Sequence, residues 1–73
     1  MDAMDTTGLD LKVRRIRLDI KANRLAAAAG KHPAWVSRIE SRRIVPSHIA
    51  REYLDALATL ATIAASQSDG EAA

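Results

Sequence analysis

Apolar residues along this chain recur at three- and four-residue steps in four separate stretches, and no stretch shows the alternation of a half-buried strand. The first stretch predicts a helix from about Asp10 to Leu18, with Leu9, Val13 and Ile16 as its inner stripe and Arg14, Arg15 and Arg17 on the remaining faces. The pattern breaks over residues 19–21. A short second helix then runs through Asn23, Arg24, Leu25 and the alanines to Ala29, where Gly30 supplies a left-handed cap. Its run of small residues predicts close contact with a neighbouring helix. Lys31 and His32 form the turn, and Pro33 opens a third helix, since the N–H that proline lacks has no intrahelical partner at a first helical position. This helix ends between Ser41 and Arg43, with Val36 and Ile39 inward and Ala34, Ser37, Arg38 and Ser41 outward. After the break at Pro46, Ser47 is a candidate N-cap for a last helix to about Ala65, in which Ile49, Tyr53, Leu54, Leu57, Leu60, Ala61, Ile63 and Ala64 recur at helical steps.

The expected fold class is therefore all-α, a small bundle of four to five helices. Residues 1–8 are expected to form a flexible N-terminus, residues 9–65 the folded domain, and residues 66–73 (SQSDGEAA) a disordered acidic tail. A chain of 73 residues has room for one domain and hides only ~60% of the surface it exposes when unfolded. Phe is absent and Trp35 and Tyr53 are the two aromatics, so Leu, Ile, Val and Ala must fill the interior. So thin a core gains from dimerisation.

Without cysteine there is neither a disulfide frame nor a thiolate metal site. His32 and His48 have no second ligand at the three- or four-residue spacing that puts two donors on one helix face, so no metal and no cofactor is expected. The acids of the folded region, Asp10, Asp19, Glu40, Glu52 and Asp55, form no pair with a nucleophile, and no glycine-rich phosphate loop is present. Catalysis is not expected. Asp2 and Asp5 stand where a secretory signal carries bases, and no apolar run approaches the ~20 residues that cross a bilayer, which predicts a soluble, intracellular protein.

Charge is distributed unevenly. Ten Lys and Arg and two acids lie between Lys12 and Arg43, whereas one base and seven acids lie outside that window. A basic centre with acidic ends is what a chain shows when its middle faces phosphates. Two short helices joined at a glycine turn, with base on the outer face of the second, also make the unit whose second helix can enter a major groove.

The stretch LAAAAGKHPAWVSRIESRR sharpens this picture. Leu25-Ala26, Gly30, Val36-Ser37-Arg38-Ile39-Glu40 and Arg43 resemble the helix-turn-helix of the phage Cro and repressor-type family of bacterial regulators, over about Val13 to Leu57. The resemblance implies a lambda-repressor-like DNA-binding domain in the cytoplasm of a bacterial or phage-infected cell, bound to a double-stranded operator. It implies base contacts from Pro33, Ala34, Ser37 and Arg38, and phosphate contacts from Lys21, Asn23, Lys31, His32, Trp35, Ser41, Arg42 and Arg43. The chain departs from the pattern in several places. Ala22 stands where the family carries a phosphate-binding Gln, Lys31 where the turn is apolar, His32 where the cap is Ser or Thr, and Arg42 where a Gly takes a left-handed conformation, a change that costs about 1–2 kcal/mol.

Physical need supports some of these roles and leaves alternatives beside others. A guanidinium at Arg38 can donate twice to guanine, a geometry worth ~1–3 kcal/mol of discrimination; its alternative is a surface pair with Glu40 or Asp55. Pro33 and Ala34 are small enough for close approach to thymine methyls, although Pro33 also serves simple helix initiation. Ser37 either contacts DNA or bonds back to its own helix. Trp35 either joins the core in part or lies along the sugar-phosphate wall. The family pattern gives Glu40 a structural bond to an arginine of the first helix, Arg14, Arg15 or Arg17. Tyr53, Leu57, Leu60 and Ala64 form a near-heptad stripe that is either a dimer seam, which would imply a palindromic operator, or part of the core. Three rivals to a repressor remain: an antitoxin with a toxin partner, an architectural or excision factor that bends DNA, and a plain protein-interaction bundle.

Overall fold

In the computed structural model, which describes residues 6–72, four helices account for nearly all of the chain: α1 (Gly8–Arg17), α2 (Ala22–Ala29), α3 (Pro33–Glu40) and α4 (Ser47–Ala72). The fold is all-α. Among the described residues the one extended pairing is an isolated antiparallel bridge between Thr6 and Val45, where the Val45 N–H donates to the Thr6 carbonyl at 2.8 Å. Among the described residues no helix is long and apolar enough to cross a membrane. α2 packs on both α3 and α4, and α1 packs on the same two helices.

Local signals account for most helix ends. The Thr7 hydroxyl caps α1 by accepting from the Asp10 N–H at 3.0 Å, an N-terminal signature that lies within the segment expected to be flexible. Gly30 closes α2 at φ +71°, and Pro33 opens α3. α4 begins at Ser47 itself, and the preceding carbonyl, that of Pro46, accepts from Ile49 and Ala50 at 3.0 and 2.9 Å. Its 26 residues extend well past Ala65, because nothing from Ser66 to Asp69 interrupts a helix once it is propagating. Residues 1–5 and Ala73 of the two expected tails lie outside the described residues.

Three expectations are corrected. Residues 6–8 are tied into the fold rather than loose: besides the bridge at Thr6 and the cap at Thr7, the Gly8 N–H donates to the Arg42 carbonyl at 2.9 Å. α1 also presents the opposite face to the core. Leu11 is fully buried, whereas Leu9, Val13 and Ile16 are 66, 40 and 57% exposed. The reason is contact at the α1–α3 crossing. A Cβ on Gly8 would lie 2.4 Å from the Ile39 carbonyl oxygen, 2.5 Å from that of Glu40 and 2.6 Å from that of Arg42, so only the face bearing Gly8, with Leu11 and Arg15 along the same side, can approach so closely. Finally, Arg42 is not left-handed. Among the described residues Asp19, at φ +58°, is the non-glycine residue in that region, and it turns the chain out of α1 at little cost, because its short polar side chain tolerates the conformation.

The core is Leu11, Leu25, Ala26, Val36, Ile39, Val45, Ala50, Tyr53, Ala56 and Leu57. Tyr53 is the largest of its fully buried side chains, an aromatic in a core otherwise aliphatic. Gly8→Ala should lower unfolding stability by about 1–3 kcal/mol, the usual effect of forcing atoms into a filled contact, read as a shift in the urea midpoint. An unchanged midpoint would mean that α1 does not sit on the α3 backbone.

Candidate nucleic-acid interface

α3 is eight residues with two unlike sides. Val36 and Ile39 point into the core and Glu40 is half-buried beside them, while Ser37, Arg38 and Ser41 are exposed and Ala34 is half-buried. Helical spacing puts Ala34, Ser37, Arg38 and Ser41 on one strip, at steps of three, four and seven residues. Among the described residues Arg38 makes no ion pair, and the Ser37 hydroxyl makes no hydrogen bond. The Ser41 hydroxyl donates to the Ser37 carbonyl at 2.8 Å. Pro33, exposed, begins the helix. His32 performs the capping expected of Ser or Thr: its Nδ1 accepts from the Ala34 N–H at 3.1 Å, which leaves Nε2 for any outside partner.

The one acid of α3 is held on the inner side. The Glu40 carboxylate accepts from Arg15 through Nε at 2.7 Å and a terminal nitrogen at 3.2 Å, a bidentate pair with side chains only 13% (Arg15) and 9% (Glu40) exposed. Arg15 is thus the first-helix partner, and its remaining terminal nitrogen donates to the Ile20 carbonyl at 2.8 Å, tying the α1–α2 turn into the same network. The Tyr53 hydroxyl lies 2.5 Å from the same carboxylate oxygen and 3.1 Å from the Leu11 carbonyl. It has one proton for two acceptors, and the shorter, charge-assisted bond to Glu40 is the stronger. The Glu40 bond holds the Arg15 guanidinium above its ordinary pKa against the opposing effect of burial. Burial, then the hydrogen bond and negative charge of Glu40, raise the Tyr53 phenol above its ordinary 10, and Arg15 opposes this less strongly.

The flanking bases divide into free and engaged groups. Lys21 and Asn23 are exposed at the start of α2, whose N-cap, Lys21, provides no side-chain hydrogen bond and whose first turn carries no acid. Arg42 and Arg43 are exposed just beyond α3. Lys31 is occupied within the protein: its ammonium sits 3.7 Å from Glu52 and 5.9 Å from the centre of the Trp35 ring. Trp35 is half-buried, packed on the core with its ring 6.3 Å from that of Tyr53. It therefore belongs to the core edge, and any phosphate contact from it uses only the part left exposed.

The stripe expected to serve as a dimer seam splits. Tyr53 and Leu57 are in the core, at 0 and 3% exposure, on the side of α4 that packs against α1 and α2, so they are not available to a partner. Leu60 is half-buried and Ala64 exposed, and with Leu18 and Ile63 they line a cleft of about 490 Å³ beside the α1–α2 turn. His48 is exposed, and no group of three His, Cys, Asp or Glu that could hold a metal ion occurs among the described residues.

Set against models of protein families, curated protein sequences and solved structures, the chain matches none.

The network carries its own pH signature. The Tyr53 pKa is raised on folding, so the stability contributed by its neutral phenol is fully present below the unfolded value of about 10 and is lost as pH climbs from there towards the folded value. Tyr53 is the chain's one tyrosine, so tyrosinate absorbance reports it alone. Absorbance should rise only together with loss of helical circular dichroism, above pH 10. Tyr53→Phe should remove that alkaline component and lower stability at neutral pH by about 1.5–3 kcal/mol, the range for a hydrogen bond to a charged group. Tyrosinate forming near pH 10 with the helices intact would contradict the buried bond.

Proposed function

We propose that this chain is a sequence-specific double-stranded DNA-binding regulator that lays α3 in the major groove and acts as a repressor by occupying its operator. α2, the turn at Gly30 and α3 then serve as the helix-turn-helix. The observation that carries the reading is the division of charge on α3. Its single acid is turned inward to Arg15 and Tyr53, while Arg38, on an outer strip whose other members, Ala34, Ser37 and Ser41, are small, has no ion pair among the described residues. A helix entering a groove lined by phosphates must keep carboxylates off its leading face, stay slim enough to reach the bases, and carry a donor for their edges.

Arg38 is the base reader, by two donated hydrogen bonds to a guanine. Pro33 and Ala34 come closest to the base edges, and Ser37 supplies a hydroxyl beside Arg38. Lys21, Asn23, Arg42 and Arg43 bind phosphate and set the register without reading sequence. The uncapped start of α2 adds N–H donors and the positive end of a helix dipole to the same backbone contact. His32 reaches phosphate through Nε2 alone, Ser41 through the hydroxyl lone pairs left after its bond to Ser37, and Lys31 only on leaving Glu52.

Selection of duplexes from a random pool tests the proposal. One enriched sequence, bound at least ~10³-fold better than a scrambled control, is expected. A palindromic winner would indicate a homodimer, with Leu60 and Ala64 as the seam to examine, and a single half-site would indicate a monomer. Arg38→Ala should relax preference at one base pair. Arg43→Ala should weaken all sequences alike and reduce the salt slope by about one unit. Sequence-blind binding that salt abolishes, or equal losses on every duplex from Arg38→Ala, would sink the proposal.

A further inference from the structure

α1 and α4 leave between them an open groove of about 470 Å³ that shares no residue with α3 or with the start of α2. Its floor is Leu18, Leu54 and Ala58, laid over the buried Leu57, and its rim carries Arg14 and Arg17. No acid lines it, and among the described residues neither arginine is in an ion pair. Leu18 is 46% exposed beside the groove, which no described residue fills. Past Arg17, around the same helix, lies a second apolar track, Leu9, Val13 and Ile16, at steps of four and three residues and all exposed. Arg14 and Arg17 therefore stand on a basic ridge between two apolar tracks. Among the described residues Arg15 is the one base of α1 in an ion pair, with Glu40, and Asp10 is the one acid that α1 carries beside its other three bases.

We propose that this face docks an acidic amphipathic helix of a partner protein, with its apolar edge in the α1–α4 groove and its carboxylates on Arg14 and Arg17. Charge complementarity selects the occupant. Two unpaired guanidinium groups over an aliphatic floor match a helix that presents Leu-like side chains on one edge and Glu or Asp beside them. Duplex phosphates would satisfy the arginines and leave Leu54 and Ala58 against water. A small carboxylate would be covered on one side only, whereas ligand pockets enclose most of their ligand. The proposal stands apart from the DNA reading, because the two faces share no side chain.

The test is titration of the isotope-labelled full chain, followed by amide NMR shifts, with a synthetic 18-residue helical peptide of Leu on one face and Glu on the other. Its counterpart with Lys in place of Glu, and phosphatidylglycerol vesicles, serve as comparisons. The Leu/Glu peptide should shift the amides of Arg14, Arg17, Leu18, Leu54 and Ala58, and the Leu/Lys peptide should not. The double variant Arg14→Glu/Arg17→Glu should weaken binding by at least about ten-fold through like-charge repulsion. Ala58→Glu should do the same by filling the floor. All three positions are exposed, and helical circular dichroism with an unchanged melt verifies that each variant folds. The proposal is overturned if the Leu/Glu peptide fails to bind, if both peptides bind alike, or if the variants bind as tightly as the parent. It is equally overturned if these amides shift with protein concentration alone, which would make a second copy the occupant, or if the vesicles move them in preference to the peptide.

Discussion

The carboxylate of Glu40 is where three helices meet. Arg15 reaches it from α1 with two nitrogens, Tyr53 reaches it from α4 with a hydroxyl, and Arg15 extends the contact to the α1–α2 turn through the Ile20 carbonyl. Desolvating an arginine and a glutamate is expensive, and the gain comes only when the geometry is good and the remaining polar atoms are satisfied. Both conditions hold here, because the pair is bidentate and each member has a further hydrogen bond. Removing one partner of such a pair costs about 3–5 kcal/mol, against a total stability of about 5–15 kcal/mol for an ordinary domain. A core of mostly Leu, Val, Ile and Ala is forgiving of rotation and sliding, since its side chains have no directional contacts. The network supplies the direction.

That one bond also shapes the face that α3 turns outward. An acid beside Arg38 would normally be its nearest partner. Held by Arg15 and Tyr53 instead, Glu40 leaves Arg38 without an ion pair among the described residues and leaves the outer strip of α3 without negative charge. The packing of the inner side and the electrostatics of the outer side are thus the same fact seen from two directions, and the proposed readout depends on both.

α1 illustrates a helix with two apolar sides and one core to satisfy. Leu9, Val13 and Ile16 make a good helical stripe, and Gly8, Leu11 and Arg15 make a poorer one by hydropathy. The poorer stripe is buried. Gly8 permits contact with three carbonyl oxygens at the end of α3, and Arg15 has a carboxylate to meet, so close approach and a satisfied charge outweigh the burial of three exposed apolar side chains. The rejected stripe, with the basic ridge beside it, is left to the surface and available for binding.

Much of this was legible in the residues themselves. The order of the four helices, the cap at Gly30, the opening at Pro33, the inward Val36 and Ile39, the outward strip around Arg38 and a first-helix arginine for Glu40 all follow from patterns within one turn of each position or from the family resemblance. The Thr7 cap was equally local, three residues before the Asp10 N–H it holds, and was obscured by the polar character of its neighbours. What no local pattern contains is which apolar face of α1 goes inside, that Arg15 rather than Arg14 or Arg17 meets Glu40, and that Tyr53 and Leu57 belong to the core. Helix formation is decided by hydrogen bonds and caps between residues three or four apart, so the sequence by itself determined where helices lie. Burial was decided by partners 25 residues apart at Arg15 and Glu40 and 42 apart at Tyr53 and Leu11, which come together only when the helices cross.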